Sequence, residues 1–204
     1  APQVTLNIGI DRNSQSITNF ASDPASLSVD GGGATLSATG GASGNPVIFS
    51  SLSSDICTVT GSLVTVVGAG SCIVAANQAG NKDYAAATQV TLTIPISKAS
   101  QSIRNFTASP SSLTVGSGTA TLSASGGGSG NAVRFSSLTP DHCTVSGSAV
   151  TPVAAGTCTI AANQSGDGSH NAARQTTLQI AVSGSGAGPD PEPDTDLDNV
   201  TPTV

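Results

Sequence analysis

Apolar and polar residues alternate in short runs along most of the chain, and the runs return at a fixed spacing of 86 positions. In the first set, alternation rich in β-branched residues predicts strands over Ser16 to Phe20, Ser26 to Val29, Ala34 to Thr39, Val47 to Ser51, Ile56 to Thr60, Leu63 to Val67, Cys72 to Asn77 and Gln89 to Ile96. The second set follows 86 positions on, and no gap is needed to align the two. Gln3, Gln89 and Gln175 correspond, as do Phe20 and Phe106, Phe49 and Phe135, and Asn77 and Asn163. No stretch shows a helical period. Seven or eight short strands in each copy predict an all-β chain of two antiparallel sandwiches.

The punctuation between runs is Gly, Ser, Asn and Pro. Gly40 to Asn45 and Gly126 to Asn131 read as the positive-φ residues of a hairpin loop, and Thr60-Gly61-Ser62 with Ser146-Gly147-Ser148 as a tighter hairpin. Gly70 and Gly156 stand where the chain is expected to turn sharply into the next strand. The strand-like run Val90, Leu92, Ile94, Ile96 closes the first copy, and a matching run, Val4, Leu6, Ile8, Ile10, stands near the amino terminus. The organisation expected is therefore a strand-bearing segment over 1–13, repeats over 14–98 and 99–183, and a tail over 184–204. The short connection Ser97 to Ser100 implies a semi-rigid rod.

Composition narrows the function. There is no Met, which is expected of a processed chain or a segment of a longer one, and no apolar run is long enough to span a bilayer as a helix. With four Phe, one Tyr and no Trp, the core must be built from Val, Ile, Leu and Ala. Net charge is −6, but five of the twelve acids lie in the tail at Asp190, Glu192, Asp194, Asp196 and Asp198. The repeats carry seven acids against six bases, a net of −1. Without a basic cluster, nucleic-acid binding has no electrostatic basis.

Cys57 and Cys72, and again Cys143 and Cys158, lie 15 positions apart. Four cysteines allow three connectivities, of which the repeat favours one bond inside each copy and an oxidising compartment. The competing reading is a four-thiolate zinc site, which lacks the usual Cys-x-x-Cys clip.

The residues shared by the copies run Gln-Ser-Ile, Leu-x-Val, Ala-Thr-Leu-Ser-Ala, Val-x-Phe-Ser-Ser, Cys-Thr-Val-x-Gly and Ala-Gly-x-Cys-x-(Val/Ile)-x-Ala-x-Gln-x-Gly. Over Ser14 to Ile96 and Ser100 to Val182 this pattern resembles the bacterial immunoglobulin-like (Big-type) tandem repeats of secreted and cell-surface proteins. The resemblance implies Greek-key sandwiches with the paired cysteines bridging neighbouring strands, used in tandem as stalks, spacers or adhesive modules. The copies depart from each other in one loop, where Tyr84 becomes His170.

Candidate chemistry is sparse. The two histidines, His142 and His170, occupy positions held by Ile56 and Tyr84 in the first copy, so neither reads as a catalytic base. Asp55 and Asp141 precede the first cysteine of each pair and read as turn caps. Asp194, Asp196 and Asp198 place carboxylates at alternate positions, as the start of a calcium loop does. Asn199 stands where that loop needs Gly, and the plainer reading is a solvated acidic linker. Sequons occur at Asn105, Asn163 and Asn199, and their frequency is that expected of a chain rich in Ser, Thr and Asn. Glycan stacking would need exposed aromatics.

The function expected is non-catalytic and cofactor-free: a bacterial extracellular or surface rod building a stalk or filament. Copies would associate head to tail by donating the apolar strand Val4, Leu6, Ile8, Ile10 to a neighbour's sheet. A duller origin for that strand is a preceding domain of a longer array. The alternative function is an adhesin, or a carbohydrate- or protein-binding accessory module of a larger secreted protein.

Overall fold

The computed structural model describes residues 11–186. They form sixteen strands and no helix. The expected assembly strand Val4, Leu6, Ile8, Ile10, the calcium candidates Asp194, Asp196 and Asp198, and the sequon at Asn199 lie outside the described residues.

The first repeat carries β1 (Thr18–Asp23), β2 (Leu27–Ser28), β3 (Ala34–Thr39), β4 (Val47–Ser51), β5 (Cys57–Thr60), β6 (Leu63–Val66), β7 (Gly70–Gln78) and β8 (Val90–Ser97). They make two four-stranded sheets, ordered β1-β3-β6-β5 and β2-β8-β7-β4. All pairings are antiparallel except β2 with β8, where Leu27 stands opposite Ile96. The chain thus leaves one sheet after β1 and joins the other through β2, the arrangement of an immunoglobulin-like Greek key.

The second repeat copies this with β9 (Arg104–Ser109), β10 (Ser112–Thr114), β11 (Ala120–Ser125), β12 (Arg134–Ser137), β13 (Cys143–Ser146), β14 (Ala149–Pro152), β15 (Gly156–Asn163) and β16 (Thr176–Ser183). Its sheets run β9-β11-β14-β13 and β10-β16-β15-β12. The chain divides into two compact units. The first runs up to Ser102 and takes in Gly126–Ala132 and Gln164–Arg174; the second takes Ile103–Ser125, Val133–Asn163 and the chain from Gln175. The strands of each sandwich fall wholly within one unit.

Alternation sends every second side chain inward, so each pair of sheets closes over a thin aliphatic core. In the first sandwich the buried set is Leu27, Ala34, Leu36, Cys57, Val64, Cys72, Val74, Ile94 and Ile96. The second buries the same nine positions, with Ile160 for Val74 and Val182 for Ile96. One substitution adds a methylene and the other removes one, so core volume is held, as close packing requires. Phe20 of β1 stacks on Phe49 of β4 across the gap between sheets, with ring centroids 5.5 Å apart. Phe106 and Phe135 repeat this at 5.3 Å.

The bonds Cys57–Cys72 and Cys143–Cys158 are formed, with Cα atoms 5.6 and 5.5 Å apart and all four residues fully buried. They do not bridge neighbouring strands, as the family resemblance implies. Cys57 lies on β5, the edge of one sheet, and Cys72 on β7, an interior strand of the other, so each disulfide crosses the core.

Two other expectations change. Gly40 to Asn45 joins β3 to β4, which belong to different sheets, so this loop is a crossover and not a hairpin. β1 begins at Thr18 and extends to Asp23, because Asn19 adopts φ 53° and shifts the register between Thr18 and Ala21. The tight turn at Gly61-Ser62 is as expected, with Thr60 paired to Leu63. So is Gly70, whose φ of 145° opens β7 where an added Cβ would come within 3.0 Å of Ile56.

Replacing Cys57 and Cys72 together by Ala should lower the unfolding free energy of the first sandwich by about 3 kcal/mol, the figure for a 15-residue loop. The transition of the second sandwich should stay in place. Urea unfolding followed by amide exchange in each repeat checks both.

Candidate functional site

The residues of the shared motif converge at one end of the first sandwich, where the β3–β4 loop, the β7–β8 loop and the segment before β1 meet. Gln78 sits at the end of β7 and is 3% exposed, one of two buried polar side chains among the described residues. Its Oε1 accepts from the Gly41 amide at 2.7 Å, and its Nε2 donates to the Asn45 carbonyl at 2.8 Å. A buried amide is tolerated only when both ends are bonded, and here they hold the crossover loop closed. Gln15 performs the same task from outside: its Oε1 accepts from the Ser43 amide at 2.9 Å, and its Nε2 donates to the Ala85 carbonyl at 2.8 Å.

Asn45 completes the network by donating to the Gly80 carbonyl at 3.0 Å. Gly40 and Gly41 are required by contact rather than by φ. A Cβ on Gly40 would lie 2.6 Å from Gln78 Nε2, and one on Gly41 2.7 Å from Gln15 Cβ. In the second repeat Gln164 bonds Gly127 and Asn131 at 2.7 and 2.8 Å, and Gln101 bonds the Ser129 amide at 2.9 Å. The network is structural chemistry: neutral amides, each satisfied by backbone.

The loop beside this network is where the repeats diverge. In the first, Asn81 Oδ1 accepts from the amides of Asp83 and Tyr84 at 2.8 and 2.9 Å. In the second, Asp167 Oδ1 accepts from Ser169 at 2.8 Å and His170 at 2.6 Å, and also meets His170 Nδ1 at 3.1 Å. The amide of Ser169, followed by the bonds and charge of His170, holds the Asp167 carboxyl below its ordinary value of 3.8. His170 therefore belongs to a loop-ordering pair. Gly128, which replaces Ala42, makes room for its ring: a Cβ there would lie 2.5 Å from His170 Nε2.

His142 stands elsewhere, half-buried before β13, where Ile56 packs against the core in the first repeat. Its Nδ1 is buried without a hydrogen-bond partner, and Gly156 leaves space for the ring. The two histidines are thus in separate loops. Asp55 and Asp141 are exposed, and the turn before Cys57 is made by serine and backbone instead. The Ser51 hydroxyl donates to the Cys57 carbonyl at 2.8 Å, and the Ser53 carbonyl accepts from the Ile56 and Cys57 amides. Short hydroxyls reach these groups while the carboxylates stay in water. The sequons at Asn105 and Asn163 are exposed. Among the described residues no group of three His, Cys, Asp or Glu side chains could hold a metal ion, and no helix is long and apolar enough to cross a membrane.

The first sandwich also has an open cleft that the sequence did not signal. It has a volume of about 480 Å³ and runs between the sheets beside β4, with Leu36 and Ala38 on one wall and Val47 and Phe49 on the other. A smaller hollow of about 230 Å³ continues from Val47 and Phe49 to the Gly61-Ser62 turn.

These features define two immunoglobulin-like sandwiches in tandem, each with a disulfide through its core. No family model matches the sequence, and no curated protein matches it. Solved structures that match the chain include domains 1–6 of surface-layer protein SbsC, at 16% identity over 86% of this chain and a TM-score of 0.31. They also include a C-terminal fragment of intimin in complex with the intimin-binding domain of its translocated receptor, at 20% identity over 82% and 0.33. Repeats EC22–24 of mouse cadherin-23 match at 16% identity over 86% and 0.32. The chain spans 29% of the surface-layer fragment, 64% of the intimin fragment and 67% of the cadherin fragment. At these scores no residue's role is transferred.

Two variants test the end network. Gln78→Ala would leave the Gly41 amide and Asn45 carbonyl unpaired and should destabilise the first sandwich by about 1–3 kcal/mol, with faster amide exchange at Gly41. For Asp167, whose folded pKa is depressed, the stabilisation is present above the ordinary carboxylate value and is lost as pH falls through the lower folded value. Protection of the Ser169 and His170 amides should therefore fall below pH 3.8. Asp167→Asn, which keeps the acceptor as Asn81 does, should abolish that pH dependence.

Proposed function

We propose that the chain is a non-catalytic, extracellular structural protein: immunoglobulin-like modules that build a stalk or filament, joined head to tail by donation of the strand over residues 3–10. The observation that carries the reading is the third appearance of one strand sequence. As β8 it is held between β2 and β7, and as β16 between β10 and β15. Both sandwiches already hold that strand, so Gln3 to Ile10 is surplus to them. Its alternating Val4, Leu6, Ile8 and Ile10 suit pairing with a sheet outside its own repeat.

Disulfides through both cores support an oxidising compartment, the periplasm, the cell surface or the medium of a bacterium. Near-neutral repeats with motif side chains committed to backbone bonds support a scaffold role over a catalytic one. Aromatic-poor surfaces offer little for stacking a sugar.

Electron microscopy of the purified chain should show linear assemblies. Deleting Ala1 to Ile10 should reduce them to single chains in sedimentation, with both unfolding transitions retained. Assemblies that survive the deletion overturn strand donation.

A further inference from the structure

The geometry points to an acceptor: the edge of β4 in the first repeat, which among the described residues pairs with no further strand, where residues 3–10 of a second copy would lie as an added strand. This inference rests on the strand-donation reading above and names the surface that completes it.

Each sandwich has four edge strands, and in the first repeat three are poor templates. β1 is broken by the bulge at Asn19 and ends on Asp23. β2 has two residues. β5 has four, with the polar Thr58 and Thr60 facing out. β4 is different: five residues with regular pairing to β7 along their whole length and no charge. Its inward side chains, Val47 and Phe49, form one wall of the open cleft, and its outward side chain Ile48 is 60% exposed. Just beyond it Leu52 is 55% exposed, and Ile73 on the adjacent β7 is 38% exposed. A regular, uncharged, apolar edge is the kind that proteins normally protect.

The second repeat shows such protection at the same place. Position 48 becomes Arg134, which is exposed on the edge strand β12, and position 73 becomes Thr159. A charged side chain on an edge strand opposes further pairing. Leu138 keeps the exposed apolar character of Leu52, so what separates the two edges is the pair Ile48 and Ile73, which belongs to the first repeat and not to the fold.

The occupant is argued from the same chain. Gln3 to Ile10 carries no charge and alternates large apolar residues with Thr5, Asn7 and Gly9. Its equivalent in the repeat, β8, pairs antiparallel with β7 over seven residues, so a run of this pattern is compatible with strand pairing in this fold. Laid along β4, one face of the segment would meet the cleft lined by Leu36, Ala38, Val47 and Phe49. The backbone would satisfy the free edge.

The test uses the full chain, Ile48→Arg, which copies the second repeat, Ser50→Lys, which places a charge on the exposed face of the same edge strand, and a synthetic peptide of residues 1–10. The peptide added to the chain lacking Ala1 to Ile10 should protect β4 amides from exchange, and Ile48→Arg should weaken its binding by at least about tenfold. Both variants should lose assembly while the unfolding transitions of both sandwiches persist. Assembly retained in both variants but lost on deletion of residues 1–10 overturns the β4 acceptor and leaves strand donation standing. Assembly retained in the deletion as well overturns both. Protection of β4 in a strictly monomeric full chain would mean that the segment folds back on its own edge, and would overturn acceptance from a second copy.

Discussion

The disulfide that crosses each core is the constraint on which the sandwich depends. A repeat of this size with no Trp and two Phe has little large apolar surface to bury, and its core is a set of nine buried side chains between two thin sheets. Aliphatic residues in one layer give modest stabilisation, while ordering the many Ser, Gly and Thr residues of the loops costs backbone entropy. A covalent link from the edge strand β5 to the interior strand β7 removes unfolded conformations and ties one sheet to the other. The hydroxyls of Ser51 and Ser53 work beside it. Ser53 accepts from the Ile73 amide at 2.8 Å and so joins the β4–β5 connection to β7 at the same level as the bond.

At the end of the sandwich where the loops meet, glutamine takes over from cysteine. A crossover loop must travel from one sheet to the other, and its backbone groups lose their ladder partners on the way. Gln78 and Gln15 return those partners from two sides, and the glycines at 40 and 41 exist because a side chain there would occupy the space of the amides. This explains why the motif reads Gln-Ser-Ile at one point and Asn-Gln-x-Gly at another: the segments are 60 residues apart in the chain and bonded to the same loop. It also explains why so polar a motif carries no reaction. Each amide is spent on backbone.

The strands were legible because alternation reports which side is buried, and β3 and β4 begin and end where the sequence predicts. The start of β1 was less so, since an Asn in a left-handed conformation resets the register without changing the composition of the run. Gly40 and Gly41 look the same in sequence whether they serve a positive φ or a close approach, and only the position of Gln78 decides between them. A spacing of 15 between cysteines is equally compatible with adjacent strands and with strands in facing sheets. The cleft beside β4 had no signal at all, because it depends on where two sheets part company at an edge.

Comparison of the copies extends this argument, because each repeat is a control for the other in one chain. Where a change is matched by a second change nearby, the pair is structural. Val74 to Ile160 goes with Ile96 to Val182 in the core, and Tyr84 to His170 goes with Ala42 to Gly128 under the ring. These exchanges conserve volume or clearance and ask for no function. Ile48 to Arg134 and Ile73 to Thr159 are of another kind, since both sit on the outer face and no packing demand links them. They alter only what the sheet offers to an approaching strand, leaving one edge open and arming the other against pairing. Under the proposed strand donation, that asymmetry leaves one donor segment and one acceptor edge in each subunit, so a second donor would meet a charged edge and not a second acceptor.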